Sequence, residues 1–141
     1  MSQNYSNHRQ FVKGYHGFAL PLIVALLGGS IANLATTSPD NLYSASLMLL
    51  VSILIVLIMF YARRFALIAQ DRAIRAEENL RHFILTGKKL DPALKLSQII
   101  ALRFASDEEM SELVKKAIEE NLSSREIKKL VKNWRADFHR V

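Results

Sequence analysis

Residues 47–62 read "LMLLVSILIVLIMFYA", and residues 64–85, which follow after a single arginine, read "RFALIAQDRAIRAEENLRHFIL". The first stretch carries no charge and the second carries many, but neither contains a proline or glycine that would end a helix. The pattern predicts one continuous helix from Tyr43 to Thr86, with Gly87 as its C-terminal cap. Such a helix is about 66 Å long, whereas the hydrocarbon core of a bilayer is about 30 Å thick. About half of the helix should therefore extend beyond the membrane.

A second apolar stretch, residues 18–35, has no charged side chain and is close to the roughly 20 residues that a membrane span needs. The link between the two stretches contains Ser-Pro-Asp-Asn, a mixture typical of turns. The sequence thus predicts an all-α fold: a two-helix transmembrane hairpin whose second helix extends into the cytoplasm, followed by a small helical bundle. The predicted segments are a cytoplasmic N-terminal segment (1–17), transmembrane helix 1 (18–35), an external link (36–42), transmembrane helix 2 (43–62), its cytoplasmic extension (63–86) and a cytoplasmic helical domain (87–141).

Basic residues close to the apolar stretches indicate the orientation of the hairpin. The ends of the two apolar stretches away from the link are flanked by Arg9, Lys13, Arg63 and Arg64, and the link itself contains no base. Because cytoplasmic loops carry the excess of Lys and Arg, both termini are expected in the cytoplasm. The competing interpretation is a signal peptide cleaved after Ala32, which would leave one span.

Two kinds of helix contact are expected. Within the hairpin, small residues of the first span should face small residues of the second, so that the backbones approach closely. On the long helix, Asp71–Arg75 and Glu77–Arg81 have the i,i+4 spacing of stabilising ion pairs. The small residues of the hairpin are Ala25, Gly28, Gly29 and Ala32 on the first span, opposed by Ser44, Ala45 and Ser52.

Three helix starts are expected beyond Gly87. Asp91-Pro92 can open a short helix, and "SDEE" (106–109) and "SSRE" (123–126) both have the spacing of a capping box. The helix opened by the second box should place four apolar residues on one face, and this face is the predicted core of the domain. The predicted core residues are Ile127, Leu130, Val131 and Trp134, with Trp134 expected against the helix that begins at Asp107.

The extension of the long helix carries an apolar line with the 4-3 spacing of a coiled-coil seam. Two surfaces are candidates to cover this apolar line: the same helix of a second copy, or the terminal bundle of the same chain folding back. We favour the second copy, because the bundle must also cover its own Trp134 face. Alanine is also simply a good helix former, so the spacing can arise by chance. This alanine seam consists of Ala62, Ala66, Ala69, Ala73, Ala76, Leu80 and Phe83.

The last predicted helix is basic, which suits an anionic lipid surface or, in a helix-turn-helix outline, nucleic acid. Nucleic acid is the less favoured partner, because the turn lacks a glycine and acids interrupt the run of bases. A weaker signal for headgroup binding or docking is the cluster of Tyr5, His8 and Arg9. The bases of the predicted face are Arg125, Lys128, Lys129, Lys132 and Arg135.

The sequence offers no catalytic chemistry. It has no cysteine, which excludes disulfides, thiolate metal sites and cysteine nucleophiles. Its four histidines lack the spacing of a helical metal site, and there is no phosphate loop. We expect no catalytic residue, no metal, no cofactor and no small-molecule substrate. The expected function is a non-enzymatic integral membrane protein, an interaction or scaffold module presenting its cytoplasmic helical domain to a second copy or to a larger membrane complex. The alternative is a membrane-tethered, nucleic-acid-binding regulator.

Four stretches carry a resemblance to a known family: "NYSNHRQF" near the start, "AQDRAIRAEENLR" (69–81), "LRFASDEE" (102–109) and "IKKLVKNWRADFHRV" at the end. The chain resembles an uncharacterised family of small bacterial two-span membrane proteins, a domain of unknown function. The resemblance implies bacterial origin and a two-span layout. It implies no activity and assigns no functional residue.

Overall fold

A computed structural model describes residues 3–8 and 11–138, and over these residues it is helical. A π-helical turn, Lys13–Ala19, runs directly into the first α-helix, and a 3₁₀ turn, Pro39–Asn41, precedes the second. The described residues contain a single isolated β-bridge and no strand, so the predicted all-α fold with two long apolar helices is confirmed. The α-helices are α1 (Leu20–Thr36), α2 (Leu42–Thr86), α3 (Leu96–Leu102), α4 (Asp107–Glu119) and α5 (Ser124–Leu130).

Helix α2 runs without a break for 45 residues, as the absence of breakers predicted. It ends at Gly87, which has a φ of 70° and donates its N–H to the carbonyl of Phe83 at 2.8 Å. A residue with a Cβ would be strained in this left-handed conformation, so glycine is the suitable cap. The chain divides into two compact units, a hairpin unit (residues 11–66) and a domain unit that joins the N-terminal residues to residues 67–138.

The hairpin unit buries small side chains and leaves its large ones exposed. Ser30, Ala45 and Ser52 are buried, and both serine hydroxyls donate to carbonyls of their own helix, to Leu26 at 2.8 Å and Leu49 at 2.7 Å. The serines therefore bring no unsatisfied polar group into the contact.

The prediction that Gly28 and Gly29 line this contact is wrong. Both glycines are exposed, and a Cβ added to either would meet nothing within 4 Å. The less exposed line on α1 has a 4-3-4 spacing and passes through Ser30 on a different side of the helix, so Ser30 replaces the glycines as the small residue. This line is Ile23, Leu27, Ser30 and Leu34.

The domain unit has a compact apolar core built by α3, α4 and α5 together with the segment that follows α2. Phe104, Leu102, Met110 and Ile127 are its largest fully buried apolar side chains. Of the predicted core residues, Ile127 is fully buried, Leu130 and Val131 pack on the core while partly exposed, and Trp134 is half-buried.

The expected long last helix is corrected by the structure. Helix α5 ends at Leu130, so Trp134 is not on a helix but in an extended segment that pairs with Ala105. The backbone N–H groups that would continue the helix bond elsewhere: those of Lys132 and Asn133 donate to the carboxylate of Glu109 at 2.8 and 2.6 Å. The N–H of Arg135 likewise donates to the carbonyl of Phe104 at 2.8 Å.

Only one of the two predicted capping boxes is formed in the described part of the chain. The box of Ser123 and Glu126 is formed, with the backbone N–H of Ser123 donating to the Glu126 carboxylate at 2.7 Å. The Ser106 box is not formed, although Ser106 is the N-cap of α4. The Ser106 hydroxyl donates to the Glu109 carboxylate at 3.2 Å, and that carboxylate accepts from the backbone of the C-terminal segment instead of completing the box. The helix expected at Asp91-Pro92 begins later, at Leu96, after a turn.

Candidate interaction surfaces

Residues 3–8, which we call the N-terminal clasp, pack on the C-terminal segment of the domain unit. The Gln3 carboxamide bonds both backbone groups of Asp137: its Nε2 donates to the carbonyl at 3.0 Å, and its Oε1 accepts from the N–H at 2.8 Å. The same Oε1 lies 3.4 Å from the Trp134 indole nitrogen, which donates to it. The Asp137 carboxylate pairs with the buried Arg103 at 3.1 Å. The clasp is thus bonded to a residue that is itself anchored to the end of α3.

His8 is the aromatic centre of this contact. Its ring lies 5.7 Å from the Phe104 ring, 5.8 Å from the Trp134 ring and 5.9 Å from the Tyr5 ring. The Lys128 ammonium can only donate, so the His8 Nε2 at 3.3 Å accepts, and the Nδ1–H donates to the carbonyl of Tyr5 at 2.7 Å. The third member of the predicted cluster, Arg9, lies outside the described residues.

The end of α5 divides the bases of the predicted face into two groups, those on the helix and those after it. Arg125 and Lys128 line a cavity of about 590 Å³ together with Tyr5, His8 and Ser124. Arg125 donates to the Tyr5 hydroxyl at 3.3 Å. Lys129 is exposed on α5, whereas Lys132 and Arg135 follow the end of α5, so the five bases do not share one helical face.

An ion-pair network centred on the largely buried side chains of Glu78 and Arg81 joins α2 to the start of α4, where Asp107 is exposed. Arg81 donates to Asp107 at 2.7 Å, to Glu78 at 3.0 Å and to the carbonyl of Ala105 at 2.7 Å. Arg135 also pairs with Glu78, at 3.6 Å. The predicted Glu77–Arg81 pair is not formed, because the neighbouring Glu78 faces the domain and shares Arg81 with Asp107. Glu77 remains exposed.

The domain covers one face of α2 and leaves the alanine seam uncovered. Ile74, Glu78 and His82, spaced by four residues, are buried. Leu80 is 60 % exposed, and among the seven seam residues only Ala66 is half-buried. Two residues turn an α-helix by about 200°, so each of Ala76 and Leu80 lies nearly opposite the buried residue two positions before it. The bundle of the same chain therefore packs on the other side of α2, and the self-association seam itself stays a prediction.

His82 is a buried titratable group of the covered face, beside Glu78. Burial lowers the pKa of its imidazole, because the charged form loses hydration. Its Nδ1 has no hydrogen-bond partner within the described ranges. Over those ranges there is also no group of three His, Cys, Asp or Glu side chains that could hold a metal ion.

A family model matches the whole chain. The model of a family of unknown function, DUF6526, matches residues 1–141. The chain belongs to this family. No curated protein and no solved structure matches the DUF6526 chain. Family membership therefore brings no activity or ligand.

Sequence reasoning did not find the docking of the clasp on the domain. The partners are 120 to 134 positions apart, so no local periodicity or spacing links them. The available signal was compositional: a segment rich in Gln, Asn, Tyr and His, and nearly free of charge, precedes the first apolar helix.

Proposed function

We propose that this protein is a non-enzymatic, membrane-anchored interaction module of the bacterial inner membrane. Helix α1 and the apolar half of α2 anchor it as a hairpin. The domain unit lies in the cytoplasm and is presented for assembly with a second copy or with a larger membrane complex.

The surface of the two long helices supports membrane anchoring. Lys13–Thr36 and Pro39–Thr86 contain 18-residue windows with mean hydropathy of 2.0 and 2.7, long and apolar enough to cross a bilayer. Only 6 % of the first 18-residue stretch and 11 % of the second are buried within the protein. A core helix of a water-soluble protein would be mostly covered, and large contiguous apolar surfaces are rare on soluble proteins. Lipid is the natural cover for such a surface.

The clasp is the observation that carries the two-span arrangement. Residues before α1 bond with residues after α2, through Gln3 with Asp137 and His8 with Lys128. If each apolar helix crosses the membrane once, these two parts of the chain are on the same side. Cleavage after Ala32 would separate the clasp from the domain. The bases Arg63 and Arg64 support the cytoplasm as the shared side.

Single-cysteine labelling tests the proposal on the full chain, which has no native cysteine. Ser38→Cys lies in the link and Lys88→Cys follows α2. In intact bacterial cells, a membrane-impermeant maleimide should label only the Ser38→Cys protein, and Lys88→Cys should label only after permeabilisation. The reverse pattern would overturn the orientation. Labelling of both in intact cells would overturn the two-span hairpin.

A further inference from the structure

The exposed face of α2 has the composition of an interface and not of a solvated helix surface. Leu80 is 60 % exposed, Ile84 is 72 % exposed and Phe83 is 49 % exposed. At 100° per residue, Leu80 and Phe83 lie on the side of α2 opposite Ile74, Glu78 and His82, whereas Ile84 lies beside Leu80 at the edge of a cavity that Glu78 and Trp134 also line. A helix beyond the membrane has no lipid to cover such side chains, so another protein surface must do so.

The spacing of this face indicates which surface fits. Seam residues from Ala62 to Phe83 repeat at alternating intervals of four and three, the a and d positions of a heptad. A strict heptad line on one helix is complementary to the same line on another helix, because each a or d side chain inserts between four residues of the facing helix. The α2 helix of a second copy carries this same line, so the partner surface needs no other feature.

Two charges beside the seam fix the direction and register of the second helix. With Ala73 and Leu80 at a, Arg72 occupies a g position and Glu77 occupies the e position of the next heptad. In a parallel, in-register pair, the g residue of one helix faces this e residue of the other, so Arg72 meets Glu77 of the second copy, and the contact occurs twice. An antiparallel pair would instead place g beside g and e beside e.

Both charges are available for such a contact. Arg72 and Glu77 are exposed, and neither forms an ion pair within the described part of the chain. Arg81, the intrachain base four residues after Glu77, is bonded to Glu78, Asp107 and the carbonyl of Ala105.

We infer that the alanine seam is the interface of a parallel, in-register homodimer in which Arg72 of each copy pairs with Glu77 of the other. This inference rests on the proposed membrane anchoring, because copies inserted with the same topology necessarily run their α2 helices in the same direction.

Disulfide trapping in native membranes tests the interface with the full chain. Ala73→Cys is on the seam, and Arg75→Cys, also exposed, is about 160° away around the helix. Mild oxidation should give disulfide dimers from Ala73→Cys and none from Arg75→Cys. Equal crosslinking at both positions, or none at Ala73→Cys, would overturn the inference, including the case in which a different protein covers the seam.

A mixing experiment tests the register. A tagged Ala69→Cys chain is coexpressed with an untagged Ala76→Cys chain. Seven residues span about 10.5 Å along a helix, whereas a disulfide needs Cα atoms within about 7 Å. Each variant should crosslink to itself, and the mixed dimer should be absent. A prominent mixed dimer would rule out the in-register arrangement.

Charge exchange tests the paired residues. In the Ala73→Cys background, Arg72→Glu or Glu77→Arg alone creates two like-charge contacts and should lower the association constant about tenfold. The double variant Arg72→Glu/Glu77→Arg restores opposite charges and should restore crosslinking, and the two single variants mixed together should prefer each other. A double variant as weak as the singles would remove the Arg72–Glu77 pair from the proposal.

The labelling of Ser38→Cys and Lys88→Cys is read on the same membranes. If labelling follows the expected pattern while the seam does not crosslink, the dimer is wrong and the membrane-anchored module stands. If both positions are labelled in intact cells, the copies do not share one two-span topology, and the parallel direction loses its basis.

Discussion

The hairpin unit and the domain unit bury opposite kinds of side chain. The hairpin buries Ser30, Ala45 and Ser52 and exposes most of its Leu, Ile, Val and Phe residues, whereas the domain buries Phe104 and Leu102 and exposes most of its charges. Apolar side chains in water must be covered by protein, but side chains in lipid need no cover, and helices there approach through small residues. This contrast is the one expected for the proposed arrangement, with the hairpin in lipid and the domain in water, and it predicts which substitutions should destabilise each unit.

The largest expected effect is the loss of a core aromatic from the domain. Phe104 is fully buried, and its ring stacks on Trp134 at 4.5 Å. Phe104→Ala should lower the free energy of unfolding of the domain by about 4 kcal/mol, since it removes buried area and leaves a cavity. Denaturant titration of the purified chain in detergent, followed by the fluorescence of Trp134, the only tryptophan of the sequence, measures this.

The matched control is Phe60→Ala in the hairpin. Phe60 is 56 % exposed, so its truncation should change the same titration by less than about 1 kcal/mol. Equal losses from Phe60→Ala and Phe104→Ala would break the contrast between the units.

The next effect concerns the ion-pair network centred on Glu78 and Arg81. Arg81→Met removes the cation bonded to Glu78 and Asp107 and leaves the buried Glu78 with only the longer contact to Arg135. Breaking a buried pair by removing one partner is costly, so the domain should lose about 3 kcal/mol of unfolding free energy. Arg75→Met, exposed on the same helix, should be nearly neutral in the same denaturant titration. A neutral Arg81→Met would show that the network does not hold α2 to α4.

A smaller loss is expected when the clasp is released. Gln3→Ala removes both hydrogen bonds to the Asp137 backbone and the bond from Trp134, and it should cost about 1 kcal/mol. Hydrogen exchange of the full chain should show faster exchange at the Asp137 amide. Ser6→Ala is the control, because the Ser6 bonds stay within the clasp. Unchanged exchange at Asp137 in Gln3→Ala would mean that the Gln3 contact does not anchor the C-terminal segment.

The sequence was sufficient where the controlling interactions are local. The unbroken α2 follows from a run without Pro or Gly, and both hydrogen bonds of the Ser123 box join partners that are three residues apart. It was insufficient where a distant partner decides between near-equal local options. Arg81 pairs with Glu78 and not with Glu77, because Asp107 lies on the side of α2 that Glu78 occupies. Contrary to the prediction, Trp134 is not helical, because Glu109 and Phe104 accept the backbone N–H groups around it.

The smallest effect is a pH dependence at His82, on the face of α2 that the domain covers. Burial holds the pKa of its imidazole below the ordinary value of 6.5, so the unfolded chain takes up a proton at a higher pH than the folded chain does. The corresponding stability is fully present above pH 6.5 and is lost as the pH falls through the lowered pKa of the folded state. Other groups also titrate on acidification, so the informative quantity is a difference between variants. Between about pH 7.5 and pH 5.5, the melting temperature of the wild type should fall by more than that of His82→Leu, which cannot take up this proton. Parallel losses in the two proteins would mean that water reaches the imidazole, and that this face of α2 is less well covered than the buried neighbours Ile74 and Glu78 indicate.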